Sequence, residues 1–179
     1  KPDRSFSDVM ERALYNTVLA GMAADGKSFF YVNPLEVYPK ACHEDARKFH
    51  VKPIRQKWFG CACCPPNIAR LLSSLAMYAY TENEDTLFAH LFVGGSVKKD
   101  VNGKELSFEV ATDMPWQGTT VYSCTNEHSV HGSLAIRIPE WSRSFKVSGV
   151  TGELDENSAQ LRDGYLYICL LYTSPSPRD

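Results

Sequence analysis

The sequence has no excess of basic residues: 19 Lys+Arg stand against 21 Asp+Glu in 179 residues, a formal charge of -2. A chain built to displace phosphate counterions carries a basic excess, so this balance speaks against a nucleic-acid partner. No apolar run approaches the roughly 20 residues a membrane helix needs, which speaks against a membrane partner. The apolar deficit of a disordered chain is missing too, since 44% of residues are hydrophobic and 22% charged, and 11 Gly with 10 Pro is ordinary. What remains is a folded chain of one domain or two small ones. There is also no initiating Met before Lys1, so the chain is expected to begin inside a longer gene product. At the other end Cys169-Leu-Leu-Tyr-Thr-Ser-Pro-Ser-Pro-Arg-Asp179 reads like a translated sequencing-library adapter and is expected to stand outside the fold.

Apolar residues at Phe6, Val9, Met10, Ala13, Leu14, Val18 and Met22 have the spacing of a helix with one buried stripe. Ser5 is the expected N-cap, with Asp8 placed for a capping box, and Asp25-Gly26 the expected stop. Phe29-Phe-Tyr-Val32 reads as an extended segment ahead of Asn33-Pro34. Residues 34–57, with Pro34, Pro39 and Pro53, read as a long loop of the functional kind. After Pro65-Pro66 the residues Ile68, Leu71, Leu72, Leu75, Ala76 and Ala79 predict a second helix to about Tyr80. Beyond Thr81-Glu-Asn-Glu-Asp85 the period becomes 2: Thr86 to Val93, Glu105 to Val110, Thr119 to Thr125, Ser133 to Ile138 and Gly164 to Ile168 predict strands. Asn102-Gly103 and Asp163-Gly164 mark turns between them. An antiparallel β-sandwich is expected there, with the boundary near residues 81–86. Two helices alone cannot bury both faces, so the helical part reads as the end of something larger.

Of six cysteines, Cys42, Cys124 and Cys169 are scattered and three lie in Cys61-Ala-Cys63-Cys64-Pro-Pro-Asn-Ile-Ala-Arg70. Neighbouring cysteines bridge one another poorly and distant partners are few, so no disulfide framework is expected. Three thiols just before a helix supply the soft, deprotonatable donors zinc prefers. Cys63 and Cys64 also fall at a helix N-terminus, where backbone N–H groups and the dipole favour an anion, so one of them is expected to be a thiolate at neutral pH. Two or three sulfurs do not complete a tetrahedral zinc shell.

Trp58-Phe-Gly-Cys-Ala-Cys-Cys-Pro-Pro-Asn-Ile-Ala-Arg70, together with Asp8-Val-Met-Glu-Arg-Ala-Leu-Tyr-Asn16, Leu19-Ala-Gly21, Asp25-Gly26 and Phe29-Phe-Tyr-Val-Asn-Pro-Leu-Glu36, closely resembles glycoside hydrolase family 127, the β-L-arabinofuranosidases. Met114-Pro-Trp-Gln-Gly118 and Arg137-Ile-Pro-Glu-Trp-Ser142 continue the resemblance. It implies an α+β multi-domain fragment: the last helices of an (α/α) barrel over residues 1–82, a β-sandwich domain over 83–168, and the adapter-like tail over 169–179. It further implies a retaining exo-glycosidase acting on an L-arabinofuranose-containing glycan, with Cys63 as nucleophile and zinc ligand, Cys64 as a second Zn2+ ligand, and Glu11 and Tyr31 contacting the sugar. The family's remaining ligands, a Glu-x-Cys pair, and its acid/base Glu are expected upstream of Lys1, so the 179 residues alone are expected to be inactive. A homodimer of the full-length protein is compatible with it.

The alternative reading is a non-catalytic zinc- or carbohydrate-binding module in which Cys61, Cys63 and Cys64 staple a loop to a helix. By pattern alone Tyr31 reads as core and Glu11 as a solvated helix residue. Trp58, Trp116 and Trp141 could stack on sugar rings but read as packing anchors, Lys98-Lys99 as a solvated pair, and Arg70 as the partner of a carboxylate on a neighbouring helix. His43 and His50 read as exposed loop residues; His90, His128 and His131 lack partners at metal spacing. Cys42 lies outside any Glu-x-Cys context and is not taken as a ligand. Reduced, metal-bound cysteines fit a cytoplasmic setting somewhat better than an oxidising one.

Overall fold

The computed structural model describes residues 2–48, 50–61, 63–124, 131–148 and 159–171. They form an α+β chain with two compact units, Val9–Ser74 on one side and Lys1–Asp8 with Leu75–Asp179 on the other.

The long helical pattern is continuous but changes its winding. α1 runs Arg4–Arg12, a π-helical segment Ala13–Val18, and a 3-10 turn Leu19–Gly21. Where winding changes, carbonyls need new donors. Asn33 Nδ2 donates to the Thr17 carbonyl at 2.6 Å and the Arg55 guanidinium to that of Ala20. The helix stops at Gly21, not at Asp25-Gly26, because Met22 is already extended and bridges to Phe29. Gly26, at φ 69°, makes the turn between them. The expected loop at 34–57 holds a short helix, α2 (Pro39–Glu44), with Cys42 buried in it. The second helical stretch is interrupted: α3 spans Cys64–Ser73 and α4 Ala76–Ala79. At the break, Ser74 Oγ donates back to the Arg70 and Leu71 carbonyls, a local bond that competes with helix continuation.

The β unit contains two sheets. β1 (Tyr80–Glu82), β2 (Thr86–Ala89), β6 (His131–Arg137), β8 (Tyr165–Leu171) and β7 (Ala159–Arg162) form one, in the order β1-β2-β6-β8-β7. β3 (Gly95–Val101), β4 (Lys104–Thr112) and β5 (Thr120–Cys124) form the other. The purely antiparallel expectation is corrected at one place: β2 and β6 pair in parallel. The chain leaves β2, builds the whole three-stranded sheet and only then returns beside it, the kind of long connection a parallel pair requires. Leu87 and Leu134 of one sheet and Val101, Leu106, Phe108 and Val110 of the other close a common core, with Leu106, Phe108 and Val110 on one face of β4 at period two. The two turn signals are where expected, with Asn102, Gly103, Asp163 and Gly164 all at positive φ. β1, β3 and β7 were not read from the sequence. β8 extends through Leu171, three residues into the adapter-like segment, in register with His131–Ser133; residues 172–179 lie outside the described residues.

The start of α1 is the largest departure. Asp3, not Ser5, caps it, accepting the Ser5 N–H at 2.8 Å. The expected apolar stripe faces outward at Phe6 and Val9, 74% and 64% exposed, while Ser7, Asp8 and Glu11 are buried. The reason lies in β6: Arg137 is fully buried and its guanidinium takes Asp8 Oδ1 at 2.5 Å. A buried charge demands a paired opposite one, which turns the Asp8 side of α1 toward β6. Beside this pair, Ser7 Oγ and His90 Nδ1 each lie 2.7 Å from the Tyr165 hydroxyl, and His90 Nε2 lies 2.6 Å from Thr81 Oγ1. Gly164 is obligatory, because at φ 79° a Cβ would stand 2.4 Å from the Arg4 Cβ.

Other side-chain expectations also change. Lys99 is buried, donating to the Asn83 carbonyl and pairing with Glu82, so only Lys98 is solvated. Trp58, Trp116 and Trp141 are exposed at 71%, 89% and 59% rather than packed. Arg70 is exposed and has no carboxylate partner among the described residues. His43 and His50 are exposed as expected, and His128 lies outside the described residues.

Two outcomes follow for the β unit. Asp8→Ala removes the buried carboxylate from the Arg137 guanidinium and is expected to cost about 3–5 kcal/mol of unfolding free energy; a loss below about 1 kcal/mol by urea denaturation contradicts the pairing. Burial, then the Arg137 charge, hold His90 below its ordinary 6.5, so unfolding takes up a proton as pH drops below about 6.5. His90's contribution is therefore complete above that value and lost as pH falls toward the folded-state pKa. The drop in thermal midpoint on acidification should be smaller in His90→Gln than in the wild type; equal drops contradict the assignment.

Candidate active site

The site is built on the Val9–Ser74 unit. Phe29 exchanges both backbone hydrogen bonds with Gln56, at 3.0 and 2.9 Å, and the Phe30 N–H donates to the Gly21 carbonyl at 2.8 Å. This pins the extended segment between the end of the helix and the chain leading to the cysteines. The Arg55 guanidinium lies over the Phe30 ring at 4.6 Å. Phe59 touches Phe29 and Tyr31, with centroids at 5.2 and 5.7 Å. Tyr31 is thereby placed, partly exposed at 38%, against the cysteine cluster.

Cys63 is the N-cap residue of α3 and its Sγ is the hub. It lies 3.6 Å from Cys61 Sγ, 3.7 Å from the Tyr31 hydroxyl and 3.8 Å from Cys64 Sγ. Cys64 Sγ points its proton at the Tyr31 carbonyl, 3.5 Å away. Asn67 holds the Cys63 carbonyl through its side chain at 3.0 Å, which fixes the backbone under the hub. Cys61 and Cys63 are exposed and Cys64 half-buried.

The electrostatics separate the two adjacent thiols. Cys63 is held below the ordinary thiol value of 9.0, first by the Tyr31 hydroxyl and then by the Cys61 and Cys64 thiols, all of which can donate to a thiolate. Tyr31 is correspondingly pushed up to about 12, chiefly by its hydrogen bond to Cys63. Cys64 is raised, by burial first and then by Cys63. The expected backbone contribution is smaller than the sequence suggested, because Pro65 and Pro66 remove two of the first-turn N–H groups. The leading donors to Cys63 are side chains, with its own backbone N–H a lesser one.

Among the described residues no group of three or more His, Cys, Asp or Glu is arranged to hold a metal ion by itself. The chemistry of the Cys63–Cys64 pair nevertheless suits two ligands of a four-ligand shell: tetrahedral zinc with Zn–S bonds of about 2.3 Å sets two sulfurs about 3.8 Å apart, the separation found here. The structure thus brings together Tyr31, Cys61, Cys63 and Cys64, all singled out from the sequence. Glu11 is placed on α1 of the same unit, buried rather than solvated. Phe59, Gln56 and Asn67, which position the others, were missed; the aromatic spacing around Phe29 was the available signal for Phe59.

With Cys63 lowered and Cys64 raised, Cys63 should alkylate faster than Cys64. With iodoacetamide near neutral pH, peptide mass spectrometry should show Cys63 labelled first, and Tyr31→Phe should slow that labelling by removing its leading donor. Equal rates at Cys63 and Cys64, or no effect of Tyr31→Phe, contradict the electrostatic reading.

Comparison with known proteins places the chain among characterised relatives. The profile of the β-L-arabinofuranosidase GH127 catalytic domain matches residues 1–77, and that of the GH127 middle domain matches residues 86–172. The chain is 36% identical over 173 residues to a non-reducing end β-L-arabinofuranosidase of Bifidobacterium longum subsp. longum, covering 94% of this chain and 25% of that protein. Its fold matches the crystal structure of a GH127 β-L-arabinofuranosidase from Geobacillus stearothermophilus T6 with a TM-score of 0.83 and 45% identity, over 96% of this chain and 27% of that one. A second GH127 β-arabinofuranosidase structure matches at TM-score 0.74 and 30% identity, over 97% of this chain and 27% of that one. The chain spans about a quarter of the length of these relatives. With the profiles of two successive GH127 domains matched in order along it, the chain belongs to glycoside hydrolase family 127.

Proposed function

We propose that this chain carries the nucleophile half of a retaining exo-glycosidase acting on non-reducing terminal β-L-arabinofuranosides. The observation that carries the reading is the Cys63 sulfur, exposed, held toward its thiolate by Tyr31, and 3.8 Å from Cys64 Sγ, in a chain of this family. The helical residues would be the end of an (α/α) barrel and the two sheets a β-sandwich domain.

On this reading Cys63 Sγ attacks the anomeric carbon, the glycosidic C–O bond breaks, and the leaving oxygen takes a proton from a general acid supplied by sequence outside these 179 residues. Water then displaces the sulfur from the same carbon, so two inversions give net retention, the logic of two-carboxylate retaining glycosidases with a thiolate in the attacking role. Tyr31 orients the sulfur and shares its charge, and Tyr31 and Glu11 would contact the sugar hydroxyls. Cys63 and Cys64 would hold a zinc ion, which would supply Lewis acidity to keep the thiol deprotonated and to moderate the sulfur as nucleophile and leaving group.

The test is a version of the enzyme extended upstream to the length of its relatives. Cys63→Ser there should lower release of arabinose from a β-L-arabinofuranoside by at least about 10^3-fold, the scale of losing a covalent nucleophile, while zinc content falls with Cys64→Ser. The 179-residue chain by itself should release none. Ordinary turnover by Cys63→Ser overturns the reading. A tightly held zinc with no thiol reactivity at Cys63 would instead indicate a stapled, non-catalytic module.

A further inference from the structure

Cys61 has no part in the reaction proposed above, yet its sulfur is the nearer of the two thiols around Cys63, at 3.6 Å against 3.8 Å for Cys64. Both Cys61 and Cys63 are exposed. The separation is too long for a bond, since a disulfide needs about 2.05 Å, so one of the sulfurs must move. Cys61 can do so: residues 57–61 belong to no helix or strand, its side chain is exposed, and among the described residues its thiol meets only Cys63, at 3.6 Å, and the Tyr31 hydroxyl. Cys64 cannot. It begins α3, is half-buried, and directs its thiol to the Tyr31 carbonyl. As the adjacent residue it could bridge Cys63 only by straining the intervening peptide at the helix start.

We propose that Cys61 is a resolving thiol, and that Cys61 and Cys63 form a reversible disulfide with a low-molecular-weight disulfide as oxidant. The Cys63 thiolate attacks one sulfur of the oxidant, giving a mixed disulfide and releasing one thiolate. Cys61 then loses its proton to water, attacks the Cys63 sulfur and expels the second thiolate. Two cysteine sulfurs are oxidised by two electrons in all, and one small disulfide is reduced to two thiols. The consequence, a reversible block of the nucleophile, rests on the function proposed for Cys63; the bridge itself does not. Stripping any metal opens the route, because a sulfur committed to a metal ion is not free to attack.

The experiment uses the 179-residue chain, chelated with EDTA, exposed to oxidised glutathione, blocked with iodoacetamide and digested with trypsin, which releases residues 58–70 as one peptide. The wild-type peptide should be lighter by two hydrogens and carry a single carbamidomethyl group, on Cys64, and a reductant should reverse this. Cys64→Ser should still form the bridge. Cys61→Ser should not, and should accumulate glutathione on Cys63 instead. The proposal is overturned if the wild-type peptide retains three alkylatable thiols or stable glutathione, or if Cys61→Ser still loses two hydrogens. The readout is a peptide mass, so a bridge that forms while Cys63→Ser keeps turnover in the extended enzyme sinks the proposed function and leaves the bridge standing.

Discussion

The two hydrogen bonds that Phe29 and Gln56 exchange fix everything at the site. They tie an extended segment to the strand-like approach of the cysteine loop, so that Tyr31 and Cys63, 32 residues apart in sequence, come within 3.7 Å. Phe59 fills the space between the two segments against Phe29 and Tyr31, so the tie is apolar as well as polar. Without it the three sulfurs would be a flexible, ordinary cluster of thiols. With it, the adjacent thiols are driven apart in acidity, Cys63 lowered by the Tyr31 hydroxyl first and Cys64 raised by burial first.

The β unit shows the same preference for polar ties over apolar ones. The Asp8–Arg137 pair, the Ser7–Tyr165–His90–Thr81 chain and the Arg137 contact with the His90 carbonyl together fasten the first turns of α1 to the five-stranded sheet. Such a network contributes less to net stability than a hydrophobic contact of equal size, because each charge has lost its water. What it contributes is a single permitted register, since a slip of one residue along α1 removes the carboxylate from the guanidinium.

These facts explain which parts were legible in the sequence. Strong, local signals were read correctly: the two turn pairs at Asn102-Gly103 and Asp163-Gly164, the period-two face of β4, the extended Phe29–Val32 segment and the cysteine cluster before α3. The burial of Ser7 and Asp8 on α1 was not read, because hydrophobic periodicity gives no sign of a buried guanidinium, and Arg137 lies 129 positions away from Asp8. Lys99 misled for a related reason, its burial being compensated by the Asn83 carbonyl. The parallel β2–β6 pair carries no local mark at all, since direction of pairing is decided by the path of the chain between the strands. At the site, residue types pointed to Cys63 and Cys64, and the resemblance to a family pointed to Tyr31 and Glu11; which thiol Tyr31 would favour required coordinates.

The central claim is that Cys63, and no carboxylate, takes the sugar. It is tested most directly by rapid acid quench of the upstream-extended enzyme during turnover of an activated β-L-arabinofuranoside, followed by peptide mass mapping. The account predicts a pentosyl group on the peptide of residues 58–70, located on Cys63. A pentosyl group on an Asp or Glu, or steady turnover with inversion and no covalent adduct, would contradict it.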